Sequence, residues 1–219
     1  TLAVTPTHST GSVNATLASI AASYSHSLTI PSWTSGVTNT SVKINDSGSV
    51  AGTAIAAWDN GDLAVAWTRP IYSGTTQHVL ALSFYDGSSW TTQDIDTASR
   101  TGYRPSIAID NQGALHIAYL DRDNTNLRYA TNASGSWVLS TLDSSAVNPN
   151  NDAAKTGIAI DNKGHVHIIH PVSGSGVWVL NYTTNVSGSF VSTTITDTTK
   201  DDGKYASLAI AGNGSLHIS

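Results

Sequence analysis

The stretch YRPSIAIDNQGALHIAY, residues 103–119, decides how this chain folds. Two short apolar runs, SIAI and LHIAY, flank a polar tetrad that ends in Gly113. Successive side chains of an extended strand point to opposite faces, so this alternation predicts two half-buried strands joined by a tight turn.

The same pattern occurs three more times, as GTAIAAWDNGDLAVAW (52–67), KTGIAIDNKGHVHIIH (155–170) and YASLAIAGNGSLHIS (205–219). Its turn glycines, Gly61, Gly113, Gly164 and Gly214, are spaced 52, 51 and 50 residues apart, a period that marks repeated structural units. Ile55, Ile107, Ile158 and Leu208 form one column, and Leu63, Leu115, Val166 and Leu216 another. Five residues before each glycine stands an alanine, at positions 56, 108, 159 and 209, a small column suited to close approach of backbones.

Two further strands follow each of the first three hairpins: LALSFYDGSSWTTQDID (80–96), NLRYATNASGSWVLSTLD (126–143) and VLNYTTNVSGSFVSTTITD (179–197). Aligned as strand, turn and strand, they place Phe84, Tyr129 and Tyr182 in one column and Trp90, Trp137 and Phe190 in another. Each unit is then a four-stranded antiparallel meander of propeller-blade length. On runs such as SIAIDNQGALHIAYLD and LRYATNASGSW, residues 51–219 resemble the β-propellers of bacterial and archaeal surface proteins and lectins. That resemblance implies an all-β propeller of about four blades and an exterior setting.

The fourth unit stops after two strands. LTIPSWTSGVTNTSVKIND, residues 28–46, aligns with the missing half, Leu28 with Leu127, Ile30 with Tyr129 and Gly36 with Gly135. The expectation is a last blade shared between the C-terminal and N-terminal strands, which removes open sheet edges. Residues 28–219 then form the propeller and residues 1–27 an N-terminal extension. Within it Leu17, Ile20 and Tyr24 can add to a sheet edge of the same chain or of a neighbour, so the partners expected are copies of this chain or other surface proteins joined by strand addition, and glycans.

Composition excludes several classes of function. The chain has no Cys, no Met and no Glu, so all 15 acidic residues are Asp. A net charge of -5 with scattered Lys and Arg gives no electrostatic footprint for nucleic acid. No apolar run is long enough for a transmembrane helix, and the start TLAVTPTHST suits a processed, secreted chain, so the expected location is extracellular or at the cell surface. Glycosylation sequons begin at Asn14, Asn39, Asn45, Asn132, Asn181, Asn185 and Asn213; of these Asn39, Asn132, Asn185 and Asn213 fall on the blade end that carries the hairpin turns.

The run HVHIIH, residues 165–170, looks like a metal motif. The repeat divides its histidines among three columns: His165 with Asp62, Ala114 and Ser215; His167 with Ala64, His116 and His217; His170 with Trp67 and Tyr119. No metal or other cofactor is expected, and His165 and His167 are the only pair that strand parity leaves on one face. The sequence DRDNTN, 121–126, is rich in oxygen ligands but lacks the bidentate Glu that closes a calcium loop.

Loops at the end opposite the turns vary more, and variable loops on a rigid scaffold commonly bind ligands. Arg69, Tyr72, Arg104, Asp121, Arg122, Asp123 and His170 are the candidates there. Catalysis is not expected. Glycosidases need a pair of carboxylates tuned apart, the sialidase pattern calls for an arginine triad with a Tyr-Glu pair, and its Ser-x-Asp-x-Gly-x-Thr-Trp turn is not matched by FYDGSSW. The function read from sequence is a non-catalytic, secreted propeller that serves as an adhesive or structural subunit of an extracellular assembly or filament. A carbohydrate-binding lectin is the first alternative, and a degenerate sialidase-like glycosidase the second.

Overall fold

Alternating apolar residues around positive-φ glycines form the expected hairpins. The computed structural model describes residues 52–72, 76–98, 100–146, 154–174, 177–200 and 202–219. The first sheet runs β1 (Thr53–Ala57), β2 (Leu63–Tyr72), β3 (Thr76–Tyr85) and β4 (Trp90–Asp96). The second is β5 (Tyr103–Ile109), β6 (Leu115–Asp121), β7 (Asn126–Thr131) and β8 (Val138–Asp143). The third is β9 (Gly157–Ile160), β10 (Val166–Gly174), β11 (Val177–Thr184) and β12 (Val191–Thr194), and a hairpin of β13 (Leu208–Ile210) and β14 (Leu216–Ile218) follows. Every sheet is antiparallel with neighbours in chain order. The first strands β1, β5, β9 and β13 pack in succession, so sheets repeat around their innermost strands as propeller blades do. The assignment of residues 28–46 to the fourth blade lies outside the described residues, as does the extension 1–27 with Leu17, Ile20 and Tyr24.

Each first hairpin turns where predicted, with Gly61, Gly113, Gly164 and Gly214 at φ between 82° and 93°. A side chain is disfavoured there, which explains why glycine recurs at this turn in every unit. Register sets the alanine column directly across from the column that reads Ala64, His116, His167 and His217.

Register also corrects one sequence alignment. Tyr129 lies opposite Ala118, and Tyr182 opposite Ile169, each two residues beyond the histidine of its blade. The residue at the same place in the first blade is Leu82, opposite Ala66, whereas Phe84 lies opposite Ala64 and matches Thr131 and Thr184. The error came from matching aromatic with aromatic, since aligning Trp90 with Trp137 sets Phe84 beside Thr131 and not Tyr129. Four residues separate Tyr85 from Trp90, as four separate Asn132 from Trp137. The Trp90, Trp137 and Phe190 column stands.

Blades meet through apolar seams. Between the first and second sheets, Ala64, Ala66, Leu80 and Leu82 pack with Leu115, Ile117, Tyr119 and Ala130. Ala118, Leu120, Leu127 and Tyr129 pack in the same way with Val166 and Ile168 between the second and third. Burying a side chain such as Leu80 or Leu127 stabilises the fold by about 1.5–3 kcal/mol.

A polar link repeats beside each seam. A β-bulge at Leu80/Ala81 sets Asp96 opposite Leu80, and one at Leu127/Arg128 sets Asp143 opposite Leu127. Asp96 accepts a hydrogen bond of 2.7 Å from the Tyr119 hydroxyl of the next blade, with Arg128 Nε 3.3 Å away. In the same positions one blade on, Asp143 stands 3.1 Å from His170 Nε2 and accepts from Asn181 Nδ2 at 3.1 Å. Tyr119 with Arg128, and His170 with Asn181, are thus two chemical solutions to one interblade contact. His170 is fully buried, so its assignment to a ligand-binding loop is corrected: the fifth residue of its strand faces the seam, not solvent.

Connections between blades run close to the third strands. A Cβ on Gly102, which has φ +76°, would come within 2.5 Å of Leu80 Cα, and one on Gly203 would overlap the Val179 carbonyl. Among the described residues no helix is long and apolar enough to cross a membrane.

Candidate ligand-binding cleft

In the second and third blades the histidine column belongs to a buried relay. In the second blade, His116 lies between the carboxylate of Asp110, 3.1 Å from Nε2, and the hydroxyl of Tyr129 at Nδ1. The third blade repeats this with His167 Nδ1 2.6 Å from the Tyr182 hydroxyl and Nε2 3.6 Å from Asp161 Oδ2. Burial pushes the Tyr129 phenol up to about 12. Burial works against the Asp161 charge too, but hydrogen bonds from the His165 ring and the His165 and Lys163 amides hold its carboxyl down at about 2. Asp161 Oδ2 also lies 2.8 Å from His165 Nδ1. The carboxylate therefore stands between His165 and His167, the two candidates for metal ligation, bonded to the His165 ring and 3.6 Å from His167 Nε2. No group of three metal-ligating side chains occurs among the described residues.

In the first blade all three relay positions change together. Trp58 replaces the aspartate, Ala64 the histidine and Leu82 the tyrosine. The consequence is a cleft of about 430 Å³ at the first seam, lined by Trp58, Leu82, Phe84, Thr91, Thr92, Gln93, Leu115, Asn132 and Trp137. At the second seam the matching space is crossed by Tyr129, whose ring centroid lies 5.2 Å from that of Phe190, the counterpart of Trp137. Removing an imidazole and a phenol from the first blade thus opens what the second blade fills.

The cleft is preorganised. Trp58 Nε1 donates to the Gly113 carbonyl at 3.1 Å, and its ring meets Phe84 edge-on with centroids 5.7 Å apart and planes at 80°. Asn132 Oδ1 accepts from Leu115 N at 2.7 Å, which fixes the amide at the wall. Thr92 Oγ1 is held 2.8 Å from Ser83 Oγ, itself 3.0 Å from Trp67 Nε1. Three aromatic rings with a few amide and hydroxyl groups make a small, mostly apolar pocket with oriented polar edges. Sequence reasoning had the aromatic columns but missed the cleft, because the signal lay in the joint loss of Asp, His and Tyr from one blade.

The remaining loop candidates gather in pairs at the other end of the strands. Arg69 is bonded to Asp94, with Nε 2.7 Å from Oδ1. Arg122 donates to the Tyr103 hydroxyl at 3.4 Å and lies over that ring, while Arg100 pairs with Asp123 at 3.0 Å. His78, 2.8 Å from the same hydroxyl, is held below its ordinary pKa by burial and then by the charges of Arg122 and Arg100. Asp121 is buried and caps its own turn by accepting from the amides of Asp123 and Asn124. Arg104 takes a left-handed φ of 50° at the entry to the second blade, and Tyr72 closes β2. Arg69, Asp121, Arg122 and Asp123 are thus each committed to a structural partner at that end.

Of the sequon asparagines, Asn213 is exposed, and Asn185 repeats the bond of Asn132 by accepting from Val166 N at 2.7 Å. Asn181 is buried with its amide committed to Asp143. Asn14, Asn39 and Asn45 lie outside the described residues.

Comparison with known proteins supports the fold. No protein-family model matches the chain, and no curated protein matches its sequence. Solved structures do match. A protein of unknown function from Dyadobacter fermentans aligns with TM-score 0.52 and 9% identity over 75% of this chain and 50% of its own. A fucose lectin from Kordia zhangzhouensis aligns at 0.45 and 14% identity over 67% of this chain and all of its own. A xylan β-1,4-xylosidase from Bacillus halodurans gives 0.48 and 14% over 80% of this chain and 38% of its own. The four-stranded sheets, their register and the packing of their first strands in succession define a β-propeller of four-stranded blades. The chain spans about half or less of the Dyadobacter protein and the xylosidase.

Proposed function

We propose that this propeller is a non-catalytic carbohydrate-binding protein and that the cleft between its first two blades holds the sugar. The observation that carries this is the wall itself: Trp58, Phe84 and Trp137 beside Gln93, Thr91 and Asn132. A sugar ring has an apolar C–H face and a polar edge, and an aromatic wall rimmed by amides matches both. None of the nine lining residues carries a carboxyl group, so the cleft lacks the paired acids that glycoside hydrolysis requires.

Such binding serves an adhesive protein at a cell surface, which is the setting that the low charge and Ser/Thr-rich composition favour. Assembly into a filament by strand addition rests on Leu17, Ile20 and Tyr24, and the deletion of residues 1–27 tests it through the oligomeric state. For the binding reading, a glycan array is the direct test. Wild-type protein should retain a defined set of glycans, and Trp137→Ala should lose them while keeping its thermal midpoint within a few degrees. Equal binding by the variant overturns this location, and turnover of a bound glycoside overturns the non-catalytic part.

A further inference from the structure

We infer that the cleft selects neutral saccharides and rejects those bearing a carboxylate or sulfate, an inference that rests on the carbohydrate reading and deepens it. Two observations carry it. The first is the lining: every polar group there is an amide or a hydroxyl, and none is a cation. An anion taken into such a space loses its hydration without gaining a partner, which costs several kcal/mol unless a cation compensates.

The second is how charge divides along the strands. Trp58 and Asn132 lie at the end of the blades that carries the hairpin turns. In the first two blades that end bears Asp59, Asp62, Asp86 and Asp110 and no Lys or Arg between 57–63, 85–91, 109–115 or 131–138. Asp86 accepts hydrogen bonds from the amides of Ser89 and Ser88, which keep it ionised. Arg69, Arg100 and Arg122 sit at the opposite end, with Asp94, Asp123 and the Tyr103 ring as their partners. A ligand approaching the cleft therefore meets a negative rim, which repels anions at a range set by the Debye length of about 8–10 Å.

The deciding experiment is an array that carries neutral glycans beside their carboxylated and sulfated counterparts, read at low and at physiological salt. Neutral members should bind, and each acidic counterpart should bind at least roughly tenfold more weakly, with the gap narrowing as salt rises. Asp59→Lys, outside the lining, reverses a charge of the rim and should narrow the gap at low salt while leaving neutral binding in place. Acidic members that bind as tightly as their neutral counterparts overturn the selectivity and leave the carbohydrate reading standing. Failure of both classes to bind overturns the carbohydrate reading itself.

Discussion

Tyr129 and Phe190 meet across the second seam with ring centroids 5.2 Å apart, and so close the space that Leu82 and Trp137 leave open across the first. One side chain per seam thus decides whether two blades enclose a cleft or a core. The first prediction follows from this pair. Leu82→Tyr should restore the tyrosine of the relay column, fill the cleft and abolish glycan retention. Because open space receives the ring, the cost should stay below the roughly 1–3 kcal/mol of ordinary overpacking, measured by chemical denaturation. Retained binding with an unfilled cleft would contradict it.

Acid stability should report the second interblade link. The bond from His170, with those from Ser145 and Asn181, holds the Asp143 carboxyl well below the usual carboxylate range although burial opposes it. A carboxyl depressed in the folded state stabilises fully above its unfolded value of about 3.9, and that contribution fades as pH falls towards the folded value. Asp143→Asn should therefore cost about 1–3 kcal/mol at pH 7 and much less near pH 2, as read from denaturant midpoints across pH. A constant difference over that range would show that the charge is not what matters.

The first link uses a phenol in place of an imidazole. Burial, followed by the Asp96 charge, raises the Tyr119 pKa far above normal, so the hydroxyl remains a donor at every physiological pH. Tyr119→Phe should cost about 1–3 kcal/mol by leaving Asp96 with only Arg128 and the Ala98 amide. Its penalty should hold from pH 7 up to pH 9.

Gly102 tests the blade connection. Its positive φ and its approach to Leu80 leave no room for a methyl group, so Gly102→Ala should destabilise by more than about 1 kcal/mol, and Gly102→Val by more again. Gly87→Ala has the same sign of φ but open space around it, and should cost only about 1–2 kcal/mol. Equal losses at the two sites would argue that φ alone matters.

Much of the fold was legible because the repeat samples one geometry several times. The spacing of Gly61, Gly113, Gly164 and Gly214 located the hairpins, and the shared columns showed that HVHIIH is a blade strand. What the sequence hid depends on register. Phe84 was assigned to the tyrosine column because it is aromatic and Leu82 is not, and only strand pairing shows that Leu82 is the true counterpart. His170 was placed with the variable loops, yet β10 continues through Pro171 to Gly174. The cleft escaped notice for a related reason. Trp58, Ala64 and Leu82 are far apart in sequence and individually ordinary, and their joint meaning needs the Asp110, His116 and Tyr129 relay beside them.

The central claim is that a saccharide sits between the first two blades. Titration with a neutral glycan retained on the array, followed by the indole N–H resonances of the protein, tests it most directly. The account predicts that the Trp58 and Trp137 signals shift together and saturably while that of Trp67, buried and bonded to Ser83, stays in place. Saturable binding that leaves both cleft indoles unmoved would contradict it.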